Sequence, residues 1–443
     1  MRLELKARTG HPDFLGLPWE RPLEEWDVPE LEDVPRGISR HVVRFVRPEG
    51  QRLYALKELP RRLADREYRL LTALRAEGLP VVSVVGVLSG RTTPGGQELP
   101  AVLITEHLPY SLPYRLLFMR AHWAVLHDQL EDALVDLLVR LHLTGFLWGD
   151  CSLSNTLFRR DAGTLAAYLV DTETSELHPS LTDGQRAYDL DIAVTNIAGE
   201  MSDLAAAGML SGQDDPFALA LGVRDRYAQL WDELTREEVV PADERWRIDE
   251  RLRRLNELGF DVDEVELIRE EDGTVRLRIL TQVIEKGHHR RRLRELTGLD
   301  VQEEQARRLL NDIAGYKAWV EQEHGRPLTA TAAAARWVQE VFEPTVQTIP
   351  DEHRGKREPA QLFHEVLEHR WFLGERGQAD LDLPTVVADY LEHVLPRVPE
   401  ERVVVEPGPS SDAGADESDP DPDPDHRDPD GPDPDLDGPD PAG

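Results

Sequence analysis

From Gly37 the chain alternates in a way that predicts strands: GISRHVVRFV, a turn at Arg47-Pro48-Glu49-Gly50, then QRLYALKEL. Two β-rich runs around a glycine-containing turn read as a hairpin. Helical spacing follows, with Leu70, Leu71 and Leu74 on one side of a segment from Asp65 to Ala76. Two apolar runs, LPVVSVVGVL at 79–88 and AVLITEHL at 101–108, read as buried strands joined by the loop GRTTPGGQE. Helical text then runs from near Leu116 to Leu143, and two short apolar runs, TLF and AAYLV, come after it.

Beyond about residue 225 the pattern changes and predicts a second, mainly helical domain. Trp246, Ile248, Leu252 and Leu255 share one helix side, closed by Gly259. EVELIREEDGTVRLRIL reads as a hairpin turning at Asp272-Gly273. Further helices follow, with Pro359 and Pro384 at first-turn positions. From Pro407 the text is an Asp/Pro repeat that cannot bury enough apolar area to order itself, so 407–443 is expected to be a disordered acidic tail. Residues 1–35, rich in Pro, Trp and acid, read as an amino-terminal extension, with Trp19 and Trp26 as docking points.

Composition narrows the function. The 443 residues carry a formal net charge of −34, which argues against general nucleic-acid binding, because phosphate contacts need basic faces. One cysteine, Cys151, excludes an intrachain disulfide framework and a multi-cysteine zinc site, and points to the cytoplasm. The start lacks the apolar core of a signal peptide, and no run reaches the roughly 18 apolar residues of a transmembrane segment.

The chemistry gathers in LHLTGFLWGDCSLSNTLF, residues 141–158. Asp150 and Asn155 stand five apart across a short polar run that disfavours helix, and a second acid, Asp171, follows in AAYLVDTE. This is a phosphoryl-transfer layout. Upstream, Lys57 is a lone cation in an apolar strand end, and Glu67 is its candidate anionic partner. Asp189 or Asp191 could brace the loop from below. Read without the rest, Lys57 is also a solvated strand end, and Asp150 and Asn155 are also turn formers. Cys151 reads as a packing thiol, His142 as a packed residue of the preceding helix, and Glu173 as either a further metal ligand or a cap.

The order YALKEL, helix with Glu67, TEHL, LHLTGFLWGDCSLSN, LVDTE resembles the protein-kinase-like superfamily, nearer its lipopolysaccharide kinase and aminoglycoside phosphotransferase branches than the regulated protein kinases. The whole is similar to a bacterial family that joins such a half to a domain of unknown function. The resemblance implies an α+β fold: a two-lobed kinase-like domain at 36–225 (lobes 36–108 and 109–225), then a mostly helical accessory domain at 226–400. It implies ATP and Mg2+, with Lys57 bridging the α- and β-phosphates and paired to Glu67. Asp150 would orient or deprotonate the acceptor, and Asn155 and Asp171 would hold the metal. Gly37, Ser39 and Arg40 would lie in the loop over the phosphates, where Gly37 alone remains of the family's glycines. Trp148-Gly149 and Thr172-Glu173 depart from the family pattern. The implied reaction is transfer of the γ-phosphoryl group to a hydroxyl of a small molecule, sugar or glycolipid. A pseudokinase scaffold that binds nucleotide or a protein partner is the alternative. The short interval after Asp171 implies a site that is always assembled.

The segment from Lys286 to Arg294 concentrates His288, His289, Arg290, Arg291 and Arg292 in an acidic chain. It reads as a solvated basic helix or as a patch for an anionic ligand, for which the acidic tail would compete. The oligomeric state and the acceptor are not written in the sequence.

Overall fold

Apolar runs that lack alternation at 79–88 and 101–108 require a sheet covered on both faces, and the computed structural model contains one. It describes the chain except residues 1–2, 13, 35–39, 49–51, 121–122, 211–214, 242–243, 245, 258–259, 263–264, 270–274, 280–283, 376–380 and 403–443. Strands β1 (Glu4–Ala7), β2 (Leu31–Glu32), β3 (Val43–Val46) and β4 (Tyr54–Leu59) precede helix α1 (Arg61–Ala76), with β5 (Ser83–Ser89) and β6 (Ala101–Glu106) after it. They form one antiparallel sheet in the order β1-β5-β6-β4-β3-β2. Alternate residues serve opposite faces. Val84, Val87, Ala101 and Leu103 pack in the cluster that holds Ala64, Leu71 and Leu74 of α1. Val85, Leu88, Val102 and Ile104 pack in a second cluster with Phe14, Leu17, Trp19, Leu23 and Trp26. The stretch 1–35 therefore supplies two edge strands and the lid of the outer face, and both tryptophans are buried. Gly86 lets β1 come close, since a Cβ there would stand 2.5 Å from the Lys6 carbonyl. Helix α1 begins four residues before the spacing predicts, because Pro60 at its N-cap presets the helical entry.

The second lobe opens with β7 (Ser111–Pro113), α2 (Tyr114–Arg120), α3 (Trp123–Leu143) and β8 (Phe146–Leu147). Next come the hairpin β9 (Thr156–Asp161) and β10 (Thr164–Leu169), then β11 (Glu176–Leu177), α4 (Asp183–Ala206) and α5 (Ala218–Thr235). Strand β9 lies between β10 and β7, and the core is carried by α3, with Leu130, Leu134, Leu137, Leu138 and Leu141 buried. Helix α4 starts at a capping box between Thr182 and Gln185.

The carboxy-terminal half holds β12 (Glu238–Val240), α6 (Trp246–Glu257), β13 (Phe260–Val262), β14 (Val265–Arg269), β15 (Val275–Ile279) and β16 (Ile284–Lys286). Strands β14 and β15 pair as expected, from Val265 with Ile279 to Arg269 with Val275, and the Asp272-Gly273 turn and Gly259 lie outside the described residues. Helices α7 (His288–Thr297), α8 (Glu303–His324), α9 (Ala330–Trp337), α10 (Glu343–Gln347), α11 (Pro359–Glu375) and α12 (Leu383–His393) complete it. Their cores centre on Trp337, Phe342 and Phe363, and on Val366, Val386 and Tyr390. The fold is α+β, and Met1–Val405 form one compact unit. The tail expectation falls on residues outside the description. Among the described residues no helix is long and apolar enough to cross a membrane.

Candidate active site

Consecutive residues of β4 face opposite sides, so Lys57 points to the side of α1 and Glu58 away from it. Lys57 Nζ lies 2.7 Å from Asp171 Oδ2 and 3.2 Å from Glu67 Oε2. Glu67 sits on the α1 face that buries Ala64, Leu71 and Leu74, and is itself 1% exposed. Burial, joined by the charge of Asp171, pushes its carboxyl up to about 7 against the pull of Lys57. Burial works against the ammonium of Lys57, but Glu67 and Asp171 outweigh it and raise its pKa. The cluster is one cation shared by two acids, one of which readily holds a proton.

The loop after β8 is held from below by one face of α4. Asp189 accepts from the backbone N–H groups of Trp148 (2.7 Å) and Gly149 (2.8 Å) and meets His142 Nε2 at 3.0 Å. Glu200 accepts from the N–H groups of Leu153 (2.7 Å) and Ser154 (2.9 Å). Between them Asn196 donates to Asp150 Oδ1 (3.0 Å) and to the Cys151 carbonyl (3.2 Å). Residues 196 and 200 follow Asp189 by seven and eleven, which places each within about 20° of it, on opposite sides, around a helix. Asp189 is thus the brace, whereas Asp191 pairs with Arg224 on the surface. Asn196 and Glu200 were not read from the sequence, although polar residues at that spacing on a helix face that also buries Ala193, Ile197 and Met201 are a usable signal.

Asp150 also accepts from Asn155 Nδ2 (3.1 Å), and Arg40 lies 3.7 Å away. Asn155 spends its amide nitrogen on Asp150, which turns its amide oxygen the other way. That oxygen and the Asp171 carboxylate are hard donors of the kind magnesium takes, so the residues fit such an ion. Both stand at the base of the β9–β10 hairpin, where Val170 N–H donates to the Asn155 carbonyl at 3.1 Å. The structure therefore brings Lys57, Glu67 and Asp171 into one cluster, and Asp150, Asn155 and Arg40 into another. Gly37 and Ser39 lie outside the described residues.

After Asp171 the chain is tied to the first lobe. Glu173 meets His41 at 2.9 Å, and Arg66 of α1 donates to the Glu173 and Ser175 carbonyls. Cys151 is fully buried and its thiol is pushed well up by burial, so it is a packing thiol and not a nucleophile. The basic segment forms α7, yet Glu303 already accepts from the N–H groups of His289 (3.0 Å) and Arg290 (3.1 Å) at its N-terminus. Arg290 also pairs with Asp300, and Arg292 with Glu295. Another acidic grouping, His127, Asp128 and Glu131, is bridged by Arg226.

Together these features are those of a two-lobed protein-kinase-like domain. Residues 50–193, which include Lys57, Glu67, Asp150, Asn155, Asp171 and Asp189, match the lipopolysaccharide kinase (Kdo/WaaP) family model. Residues 229–395 match a domain of unknown function (DUF4032), so the chain joins a kinase-like half to that domain. Among solved structures, WaaP in complex with acyl carrier protein is similar at 17% identity, covering 51% of this chain and 89% of that one, with a TM-score of 0.31. The BubR1 kinase domain is similar at 13% identity, covering 46% and 82%, with a TM-score of 0.30. No curated protein matches the chain.

Proposed function

We propose that the protein transfers the γ-phosphoryl group of ATP to a hydroxyl of a small molecule, sugar or glycolipid in the cytoplasm. The observation that carries this is the pair of clusters, Lys57–Glu67–Asp171 and Asp150–Asn155–Asn196, in the order phosphoryl transfer needs. Lys57 neutralises the α- and β-phosphates. Asn155 and Asp171 would hold magnesium, which would offset charge on the phosphate oxygens. Asp150 takes the acceptor's proton as its oxygen bonds to phosphorus and the bond to ADP breaks. Its two oxygens are oriented by Asn155 and Asn196, so the carboxylate needs no rearrangement to receive that proton. An acceptor of this class agrees with the family model and with a segment from Asp171 to α4 too short to dock a protein substrate.

The scaffold reading has one observation in its favour: Asp150 is engaged by two amides with Arg40 nearby, and Asp171 by Lys57. A thermal-shift measurement with ATP, with and without magnesium, separates the two. Catalysis predicts magnesium-dependent stabilisation that Asp171→Ala abolishes. Asp150→Ala is expected to keep it while phosphoryl transfer falls by about 10²–10⁴-fold. If Asp171→Ala binds Mg-ATP like the parent, the metal assignment is wrong.

A further inference from the structure

The hairpin that carries the metal residues at its base is gripped at its tip by the accessory domain. Strands β9 and β10 pair from Thr156 with Leu169 at the base to Asp161 with Thr164 at the tip. Asn155 immediately precedes the base, and Val170 and Asp171 follow it. At the tip Asp161, 4% exposed, accepts from the backbone N–H groups of Gln305 (2.7 Å) and Glu304 (3.1 Å). It thereby satisfies donors of the first turn of α8, which a helix cannot satisfy internally. Ala162 N–H donates to Gln361 Oε1 of α11 at 2.9 Å. Gln305 Nε2 donates to the Arg160 carbonyl at 3.1 Å, and Tyr168 Oη to Gln302 Oε1 at 2.6 Å. Arg159 pairs with Glu358 at 2.7 Å and Arg160 with Glu401 at 3.1 Å.

The conformation of the tip needs that grip. The two turn residues, Ala162 and Gly163, both have positive φ, 50° and 89°. Such a turn matches the twist of a hairpin, but its first position favours Asn, Asp or Gly, and an alanine there is disfavoured by about 1–2 kcal/mol. Ala162 is fully buried, and its one backbone donor is taken by Gln361. The partners Gln302, Gln305 and Gln361 are 7%, 1% and 5% exposed, so these bonds are made away from water, where their loss leaves unsatisfied groups. A six-residue strand is a stiff lever of about 17 Å. Whatever fixes one end limits the other.

We propose that the accessory domain is a positioning element for the metal pair: by holding the Asp161–Gly163 tip it sets the spacing of Asn155 and Asp171 at the far end of the same two strands. Asp161 and Gln361 are then positioning residues that touch neither nucleotide nor acceptor. This rests on the assignment of Asn155 and Asp171 to magnesium.

The test uses the full chain and the variants Asp161→Ala and Gln361→Ala, with folding checked by circular dichroism. Two quantities are read: hydrogen exchange across residues 156–171 without ligand, and the magnesium concentration giving half of the ATP-dependent thermal shift. Both variants should exchange faster at the base as well as at the tip. They should also need about 10-fold more magnesium, as loss of a supporting contact commonly does, while the shift with ATP alone stays unchanged. Faster exchange at the tip with a parent-like base and parent-like magnesium dependence would overturn the proposal. A parent protein without any magnesium-dependent shift would remove the kinase reading and the metal role with it. In that case the exchange at the base still reports whether the coupling along the hairpin exists. Should Asp161→Ala fail to fold, Gln361→Ala, which removes the acceptor of Ala162 N–H together with the bonds of Gln361 to Gln305 and Glu365, decides the question alone.

Discussion

Two neighbouring charges on one strand, Lys57 and Glu58, lead to opposite outcomes. Glu58, 9% exposed, meets Arg91, which is fully buried under the amino-terminal segment. That guanidinium also donates to the carbonyls of Trp19, Arg21 and Pro100, while Glu58 accepts from Leu23 N–H. Backbone acceptors satisfy the cation from several directions, so nothing is left for a ligand. Among the described residues Lys57 instead meets two carboxylates, and Asp171 is a quarter exposed. A charge ringed by backbone is structural, and a charge held by side chains, one of them part-exposed, can exchange partners. The first kind anchors the Trp19–Leu23 stretch to the sheet, and the second is the one to which the proposed function assigns the phosphates.

Arg91→Ala should give the largest loss of stability. Removing one partner of a buried, hydrogen-bonded pair costs about 3–5 kcal/mol, read by urea unfolding. Lys57→Met should cost less than half as much, because Glu67, already pushed up to about 7, takes a proton when its cation is gone. The same variant should lose the stabilisation by Mg-ATP. Equal destabilisation by the two substitutions would erase the distinction between the two sites.

The smallest effect concerns pH at the tip of the β9–β10 hairpin. Burial pushes the Asp161 carboxyl up to about 7, although two backbone N–H groups favour its charged form. A carboxyl raised on folding binds a proton that the unfolded chain has released, so its stabilising contribution is lost as pH rises from about 4 to about 7. The parent's melting temperature should therefore fall more between pH 5 and 8 than that of Asp161→Asn. Glu67 and Glu131, also raised to about 7, act in the same direction in both proteins and cancel from the comparison. Identical pH profiles would mean that Asp161 is ionised throughout.

Much of the candidate site was legible as a cluster of residue types, because most of the groups that phosphoryl transfer would use lie close together along the chain. Asp150 and Asn155 share one loop, and Lys57 interrupts an apolar strand, so type and spacing sufficed. The supports were harder to read. Asn196 and Glu200 look like ordinary surface residues of a helix until the loop they hold is placed against them. The stretch 1–35 has neither clear alternation nor helical spacing, because its Phe14, Trp19 and Trp26 cover a sheet face from irregular backbone.

The amino-acid sequence by itself determined the strongly patterned elements and the inventory of the candidate site: the main strands and helices from β3 onward, the cation and acids set in apolar surroundings, and their order. These follow from periodicity and from the cost of burying charge, which act over a few residues. The tertiary structure decided the rest. It put Glu58 against Arg91 and Lys57 against Asp171, laid one face of α4 under the loop, and seated α8 on Asp161. Each of these joins groups distant in the chain, and their value comes from exclusion of water and from donors with no other acceptor. Such conditions exist only once the domains have packed.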